Sequence, residues 1–379
     1  MISLIEILPP SVRRSAKKIL PYKTQVQISK LLSNPLKGAK FNRLMFSMPA
    51  PFFRKYQYPK MLSIFLTTRC NLHCFICRRE NFKPSELDFT DLTKLKTAIK
   101  YAHVVELTGW GEPLLYPKFG EVLLYVYSLN PSKSLIQFAT NGTRLSADVA
   151  HQLSGHLHAI TISLNAATAE IYNRDMKGGN FETTISAIKN FMTALDNNDK
   201  RKITLHFVAH SKNINEIPEF VSLASQLGIS KVGIGQYLVG ISEHSQYTLL
   251  NCKQEYNAAI EQARILGNKL GVAIDARQFF ADKVGNIADC PSPFVETYVT
   301  TTGEVSVCCY CGEDGRMGNA YEESFEAVWF NKAYRRLRKK LYLRSCQECI
   351  QFEPLDNISA HFLKDFVKTE EFKKLDIKK

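Results

Sequence analysis

From residue 61 onward, apolar runs of strand length alternate with stretches that carry an apolar stripe at helical spacing. A short run rich in branched and aromatic residues predicts a strand, and apolar residues at every third or fourth position predict a helix. The pattern predicts six strands, at 61–66, 103–107, 134–139, 158–164, 203–209 and 231–238. It predicts six helices between and after them, at 91–100, 118–128, 147–153, 181–195, 215–227 and 253–270.

Repeated strand–helix units indicate a parallel sheet covered by helices. We therefore expect an α/β fold, with a partial (β/α)6 barrel of the TIM type and a small C-terminal cysteine-rich extension. An open doubly wound sheet is the alternative topology, because periodicity does not separate the two. We divide the chain into an N-terminal basic segment 1–60, a core barrel 61–280, a cysteine-rich domain 281–352 and a tail 353–379.

Polar and glycine-rich motifs recur where the predicted strands end. In parallel α/β barrels the active site lies at the carboxyl ends of the strands, so these motifs are expected to share one rim. In chain order they are residues 70–77, 109–113 and 140–142, then Ser163 with Asn165, His210 with Asn213, and Gln236. The barrel topology is favoured because these motifs recur on one rim, whereas random placement would scatter them over both rims.

Positive charge is concentrated at the two ends of the chain, whose net charge is +13 over 379 residues. Residues 1–60 hold 12 Lys and Arg against one acidic residue, residues 61–330 hold 24 against 28, and residues 331–379 hold 13 against 7. A nucleic acid lying across the core would require a continuous basic groove, so it is not an expected partner. A short basic amphipathic helix is predicted at 11–20; we expect it to pack on the main domain, with peripheral membrane contact as the alternative.

Cysteine usage and the absence of targeting patterns indicate the compartment. No apolar run reaches the ~18 residues that a membrane span requires, and the first residues lack the pattern of a secretory signal. The ten cysteines fall largely in pairs and triplets, which fits metal ligation in a reducing cytosol better than disulfides. The sequence therefore predicts a cytoplasmic metalloprotein.

Three cysteines, Cys70, Cys74 and Cys77, form a C-x3-C-x2-C pattern directly after the first predicted strand. Three thiolates at this spacing can hold three irons of a cubane iron–sulfur cluster and leave the fourth iron open to a small molecule. Structural zinc is the alternative, but it requires four ligands and no fourth cysteine follows nearby. The pattern therefore favours a cluster that performs chemistry on a molecule bound at its open iron.

The triplet resembles the signature of the radical S-adenosylmethionine (SAM) enzymes, whose open iron chelates SAM. The resemblance implies a SAM-binding [4Fe–4S] cluster that cleaves SAM to methionine and a 5′-deoxyadenosyl radical, which then abstracts a substrate hydrogen. It also implies an external electron donor such as flavodoxin or ferredoxin. The family usually has an aromatic residue just before the third cysteine; here that position is Ile76, and Phe75 stands one residue earlier.

Other rim motifs also resemble those of radical SAM enzymes. The run 109–113 resembles the family's GGEP motif, and the resemblance assigns SAM contacts to Gly109, Gly111 and Glu112. A tight βα turn is the alternative, because glycines also permit close backbone approach. Asn141 lies in a segment that resembles the family's T-N-G, although Asn-Gly is also an ordinary turn signal.

The end of the fourth predicted strand resembles the family's S-x-D position. The resemblance implies that Ser163 and Asn165 contact the ribose or the carboxylate of SAM, and that Arg174 or Lys177 supplies the basic residue that often follows this strand. His210 is expected to be a structural strand-end histidine, with a catalytic base as the alternative. No catalytic residue is assigned from the sequence.

A second group of cysteines lies near the C-terminus. Cys290 and Cys308 enclose a C-x12-G-x4-C pattern that predicts a hairpin, and Cys346 and Cys349 form a C-x2-C pair after a basic helical segment. The spacing resembles the SPASM or twitch extension of radical SAM enzymes, which implies one auxiliary [4Fe–4S] cluster held by these four thiolates. A zinc ribbon is the alternative. Three cysteines remain outside this set: Cys309 and Cys311 as alternative ligands, and Cys252 as a free thiol.

These observations predict a radical SAM oxidoreductase that acts on an unactivated C–H bond. A fully ligated auxiliary cluster could accept an electron from a substrate radical, which would make the reaction a net oxidation. A small molecule or carbohydrate is the preferred substrate, because residues 1–60 lack the pattern of a leader-binding winged-helix domain. A maturase of a ribosomal peptide is the alternative, and a non-enzymatic zinc-stabilised nucleic-acid-binding module is the further alternative.

Overall fold

The computed structural model describes residues 57–77, 83–129, 135–156, 158–237, 246–249, 252–276, 292–309 and 315–339. The predicted helix at 11–20 and the tail 353–379 lie outside these residues. The strands in the described part are β1 (Met61–Ile64), β2 (His73–Cys74), β3 (Val104–Glu106), β4 (Leu135–Thr140), β5 (Ala159–Ser163), β6 (Met176–Lys177), β7 (Ile203–Ala209), β8 (Lys231–Gln236), β9 (Ala273–Ala276), β10 (Glu296–Val299), β11 (Glu304–Ser306) and β12 (Arg316–Asn319).

Ten of these strands form one sheet in the order β12-β11-β10-β1-β3-β4-β5-β7-β8-β9, and β2 pairs with β6 in a separate ribbon. From β1 to β9 the neighbours are parallel and follow chain order. A doubly wound sheet would reverse its strand order at a switch point. Because the strands from β1 to β9 follow chain order without a switch point, the doubly wound alternative is wrong. The sheet is not closed, and the predicted partial barrel is confirmed.

The helices occur close to their predicted positions. They are α1 (Phe89–Leu92), α2 (Lys96–Tyr101), α3 (Phe119–Leu129), α4 (Ala147–Leu153), α5 (Ala169–Asp175), α6 (Phe181–Ala194), α7 (Asn197–Lys200), α8 (Ile217–Gln226), α9 (Lys253–Leu270), α10 (Ser292–Val295), α11 (Phe325–Trp329) and α12 (Lys332–Lys339). The helix predicted at 91–100 is interrupted by a 3-10 turn at Thr93–Leu95, and the short helices α5, α7 and α10 were not predicted. None of the helices in the described ranges is long and apolar enough to cross a bilayer.

The sheet has one apolar face and one more polar face. Along β7, Leu205 and Phe207 are fully buried, whereas the alternate residues Thr204 and His206 are half-buried. Side chains alternate between the two faces of a strand, so the first pair belongs to the core against the helices and the second pair lines the inner wall of the partial barrel. The inner wall can therefore accommodate polar ligands.

The C-terminal extension continues the same sheet. β10 adds to the free side of β1 in parallel, and β11 and β12 follow as antiparallel strands. Gly303 forms the turn between β10 and β11 with φ +87°, a left-handed conformation that glycine adopts without strain. The predicted hairpin before Cys308 is therefore confirmed.

Arg338 of α12 connects α10, α11 and α12 of this extension. Its side chain is only 7% exposed, and its guanidinium carbon lies 4.2 Å from the ring centroid of Trp329 and 4.6 Å from that of Tyr334. Its Nε donates to the carbonyl oxygen of Pro293 and its Nη1 to that of Trp329, both at 2.8 Å. A buried cation between two rings that also pairs two carbonyls is a strong local restraint.

We expect Arg338→Ala to lower the free energy of unfolding of this extension by about 3 kcal/mol, because it removes the stacking and leaves buried carbonyls unpaired. The denaturation midpoint, read from the fluorescence of Trp329 in a Trp110→Phe background, measures the loss. Arg335→Ala is the matched control, since Arg335 is exposed on the same helix and such changes usually alter stability by less than about 0.5 kcal/mol. Equal midpoints in the two variants would contradict the assigned role.

Candidate metal centre

The three cysteines of the first motif lie past the carboxyl end of β1, where a barrel places its active site. All three are half-buried. The ribbon between β2 and β6 places Cys74 opposite Met176, and the backbone N–H of Cys77 donates to the carbonyl of Cys74 at 3.0 Å. The Sγ of Cys74 is 3.3 Å from the Sδ of Met176. Secondary structure therefore fixes the middle of the cysteine loop, which chain spacing alone could not predict.

The glycine-rich loop after β3 packs directly against the cysteine loop. A Cβ added at Gly111 would overlap the carbonyl oxygen of Thr67 and lie 2.5 Å from that of Arg69. The next residue, Glu112, donates its backbone N–H to the same Arg69 carbonyl at 2.8 Å. A Cβ at Gly109 would lie 2.6 Å from Cγ of Phe65. Gly111 is thus required for the packing of the two loops, and Gly109 for close packing on the side chain of Phe65. Their predicted contacts with SAM remain predictions.

The carboxylate of Glu112 is buried between the glycine-rich loop and the end of β4. It accepts hydrogen bonds from Thr140 Oγ1 at 2.7 Å, from the backbone N–H of Asn141 at 2.7 Å and from that of Leu114 at 3.2 Å. Burial raises the pKa of Glu112, and these hydrogen bonds oppose that rise. The carboxylate therefore joins the glycine-rich loop to the end of β4. Its predicted bond to the SAM amino group stays a prediction.

Asn141 connects the end of β4 to the cysteine loop. Its Nδ2 lies 3.0 Å from Asn71 Oδ1 and 3.6 Å from the Sγ of Cys70. Its Oδ1 accepts from the backbone N–H of Thr143 at 3.0 Å and from Thr143 Oγ1 at 2.6 Å. The segment therefore forms the turn that Asn-Gly signals and also reaches the cysteine loop, and its predicted contact with SAM stays a prediction.

Asn165 and Ser163 end the fourth barrel strand. Asn165 adopts a left-handed backbone with φ 58°, and its Oδ1 accepts from the backbone N–H of Val208 at 2.9 Å. Its Nδ2 lies 3.4 Å from Met176 Sδ. Ser163 lies on the inner wall, in register with His206 of β7. Asn165 therefore ties two strand ends together, and SAM contacts of either residue are untested predictions.

The basic residues predicted after this strand differ in their surroundings. Arg174 donates from Nε and Nη2 to the carboxylate of Asp175, at 2.7 and 2.9 Å. Lys177 is exposed in β6, opposite His73 of the cysteine loop. Arg174 thus already pairs with a protein carboxylate, whereas Lys177 lies beside the cysteine loop on the exposed surface.

A buried pair of His210 and Asp175 supports the same region. His210 Nε2 lies 3.0 Å from Asp175 Oδ2, and the backbone N–H of Lys212 donates to His210 Nδ1 at 3.2 Å, which assigns the proton to Nε2. Burial lowers the pKa of His210. Burial alone would raise the pKa of Asp175, but hydrogen bonds from His210 and Arg174 lower it. Both ring nitrogens of His210 are thus hydrogen-bonded within the protein, as expected for a structural strand-end histidine, and a role as a catalytic base stays the alternative.

Phe75 joins this pair to the cysteine loop. The centroid of its ring lies 5.0 Å from that of His210, in an edge-on contact, and 4.5 Å from that of Tyr247. Its backbone N–H donates to the carbonyl of Asp175 at 3.3 Å. The aromatic residue that is displaced by one position from the family pattern therefore anchors the loop. Asp175 carried no sequence signal, because its role depends on the β2–β6 pairing.

Only part of the second cysteine group lies in the described residues. Cys308 follows β11 and is half-buried, and Cys309 comes next. Four cysteines of this group lie outside the described residues. They are the predicted ligands Cys290, Cys346 and Cys349 and the alternative ligand Cys311. Cys252 is a free thiol before α9, and burial raises its pKa to about 11.

The chemistry of the first cysteine loop fits an iron–sulfur cluster. Within the described ranges no three His, Cys, Asp or Glu side chains converge on one point as a single metal ion requires. In a cubane each thiolate binds a different iron, so the thiols need not converge. The Sγ of Cys70 also accepts a backbone N–H from Leu72 at 3.4 Å, the kind of bond that cluster thiolates receive. Cys70, Cys74 and Cys77 would hold the cluster.

A partial parallel barrel with three thiols at its carboxyl rim, followed by a cysteine-bearing hairpin, defines a class of iron–sulfur proteins built for chemistry at an open iron. The model of the radical SAM superfamily matches residues 64–224, and that of the SPASM iron–sulfur cluster-binding domain matches residues 290–350. The chain is a radical SAM protein with a C-terminal SPASM domain. The predicted cofactors, a SAM-binding [4Fe–4S] cluster, SAM and auxiliary iron–sulfur ligation, are confirmed, and the zinc alternatives are not supported.

Two curated relatives match about half of the chain at less than 30% identity. The chain is similar to the mycofactocin maturase MftC of Mycobacterium tuberculosis, at 29% identity over 47% of this chain and 44% of the relative. It is also similar to a probable GTP 3′,8-cyclase of Methanocaldococcus jannaschii, at 27% identity over 45% of this chain and 56% of the relative. The chain thus spans about half the length of these curated relatives.

Among solved structures, SuiB of Streptococcus suis bound to S-adenosylmethionine has a similar fold. The TM-score is 0.60 at 17% identity, over 79% of this chain and 72% of SuiB. At this identity the likeness concerns the fold alone.

Proposed function

We propose that the protein is a radical SAM enzyme that oxidises a C–H bond of a peptide or protein substrate. The observation that carries the proposal is the half-buried cysteine loop, held at the carboxyl rim of the barrel by Glu112 and Asn141. Bound there, the cluster and SAM supply a 5′-deoxyadenosyl radical for hydrogen abstraction. The chain's own residues fix the loop, line the inner wall and bring the auxiliary hairpin next to β1.

The peptide substrate replaces the small molecule or carbohydrate that the sequence favoured. Supporting it, MftC is named a maturase, and SuiB has a structure bound to its precursor peptide SuiA. The similar GTP cyclase keeps a small-molecule substrate as the second candidate. An auxiliary cluster that accepts the electron left on the substrate would make the reaction an oxidation, as we inferred from the sequence.

The inner wall provides polar groups for such a substrate. Glu106 and Gln137 stand side by side there, with Gln137 Nε2 donating to Glu106 Oε1 at 3.2 Å. Burial raises the pKa of Glu106. His206 lies further along the wall and is also half-buried. These groups can pair with amide and hydroxyl groups of a peptide that enters the open barrel.

The test is an anaerobic reaction of the reconstituted protein with SAM, dithionite and synthetic peptides encoded beside its gene. We expect one peptide to lose two hydrogens, about 2 Da, for each deoxyadenosine formed, because oxidation removes a hydrogen atom and then an electron with a proton. GTP under the same conditions is the control. Conversion of GTP with every peptide unchanged would contradict the proposal, and a peptide product of unchanged mass would contradict the oxidation.

A further inference from the structure

The side-chain amide of Asn141 lies beside the sulfur of the first cluster cysteine. Nδ2 is 3.6 Å from the Sγ of Cys70, within the range of an N–H···S hydrogen bond, and the residue is buried. The backbone N–H of Leu72 approaches the same sulfur at 3.4 Å. Cys70 therefore receives two donors, one from its own loop and one from the turn that follows β4.

The orientation of this amide is fixed by its neighbours. Thr143 donates its backbone N–H and its hydroxyl to Asn141 Oδ1, so the NH2 end must face the cysteine loop. Asn71 Nδ2 donates to Thr143 Oγ1 at 2.8 Å, and Asn141 Nδ2 donates back to Asn71 Oδ1. Every polar group in this ring of three side chains is used consistently, with one N–H left to point at Cys70.

The backbone at this position is equally constrained. The N–H of Asn141 donates to the buried carboxylate of Glu112, which also binds Thr140. The donor is therefore preorganised, because neither the amide nor its backbone can rotate away without breaking several bonds. A donor held in this way acts on the sulfur in both oxidation states of a bound cluster.

We propose that Asn141 is a positioning residue that donates an N–H···S bond to the Cys70 thiolate and raises the reduction potential of the core cluster. Reduction adds negative charge to the cluster sulfurs, so a donor stabilises the reduced state more than the oxidised state. Asn141 thereby favours the electron transfer on which SAM cleavage depends. The inference goes beyond the proposed function, since it holds for any substrate.

The test is a redox titration of the reconstituted protein, followed by the EPR signal that changes when SAM is added and thus reports the core cluster. The comparison is made at the potential at which half of the parent's core cluster is reduced. There, Asn141→Leu is expected to lower the ratio of reduced to oxidised cluster about tenfold, which corresponds to a reduction potential lower by about 59 mV for a one-electron couple. An unchanged ratio in an Asn141→Leu protein that retains its cluster would overturn the proposal.

Thr143→Ser is the matched control, because it alters the same turn but keeps the hydroxyl and the backbone N–H that orient the Asn141 amide toward Cys70. Its ratio is expected to stay within about twofold of the parent's, and a tenfold drop would assign the effect to loop order instead. Should Asn141→Leu fail to fold, the parent protein labelled with 15N-asparagine gives the answer. A hyperfine coupling of 15N to the reduced cluster that disappears in Asn141→Asp supports the bond, and no coupling in the parent overturns it.

Discussion

Cys74→Ala is expected to abolish the formation of 5′-deoxyadenosine from SAM. Cys74 is the central thiol of the loop, fixed by the pairing of β2 with β6. Loss of an outer-shell partner typically costs about 10–100-fold in metal affinity or activity, so loss of a ligand should leave less than about one hundredth of the parent's rate. Deoxyadenosine quantified by chromatography, together with iron and sulfide content, measures the effect.

Cys252→Ala is the control for this experiment. Cys252 is also half-buried, and burial raises its pKa to about 11. It precedes α9 and belongs to neither group of candidate cluster cysteines. We expect Cys252→Ala to retain both its iron and its rate of SAM cleavage. A Cys74→Ala protein that cleaved SAM as fast as the parent would show that the first cysteine loop does not hold the active cluster.

Much of the barrel could be predicted because its strands and helices differ clearly in period. The strand at 203–209 and the helices at 147–153 and 253–270 have the predicted bounds. The prediction of one helix at 91–100 was less accurate, because a 3-10 turn interrupts that segment. The two-residue strands β2 and β6 have no period at all, and their pairing depends on the folded rim.

The candidate site was predictable in its residue types but not in its connections. The cysteine spacing predicted three thiols at one loop, and the rim placed Glu112 and Asn141 nearby. The contacts between them depend on loops that meet only in the folded chain, as does the support that Asp175 gives to Phe75. Sequence spacing therefore identifies candidate ligands, whereas the residues that hold them in place require coordinates.

The interface between the glycine-rich loop and the cysteine loop leads to the second prediction. Gly111→Ala is expected to lower the free energy of unfolding by about 3 kcal/mol, the upper part of the usual range for overpacking. The reason is that the new methyl group would overlap two backbone carbonyls, those of Thr67 and Arg69, which cannot swing aside as a flexible side chain can. Relief requires the two loops to separate, which breaks the bond from the Glu112 N–H to Arg69.

That separation displaces the segment that leads into Cys70, so Gly111→Ala should also lose most of its core-cluster iron. Iron content and the midpoint temperature of unfolding are measured on the same samples. Gly120→Ala is the matched control. A Cβ at Gly120 meets no atom closer than Gln152 Oε1 at 3.8 Å, and alanine is favoured over glycine within a helix such as α3. It should therefore keep its iron and gain stability. If Gly111→Ala matched it in both respects, the close packing of the two loops would not be what holds the cysteines in position.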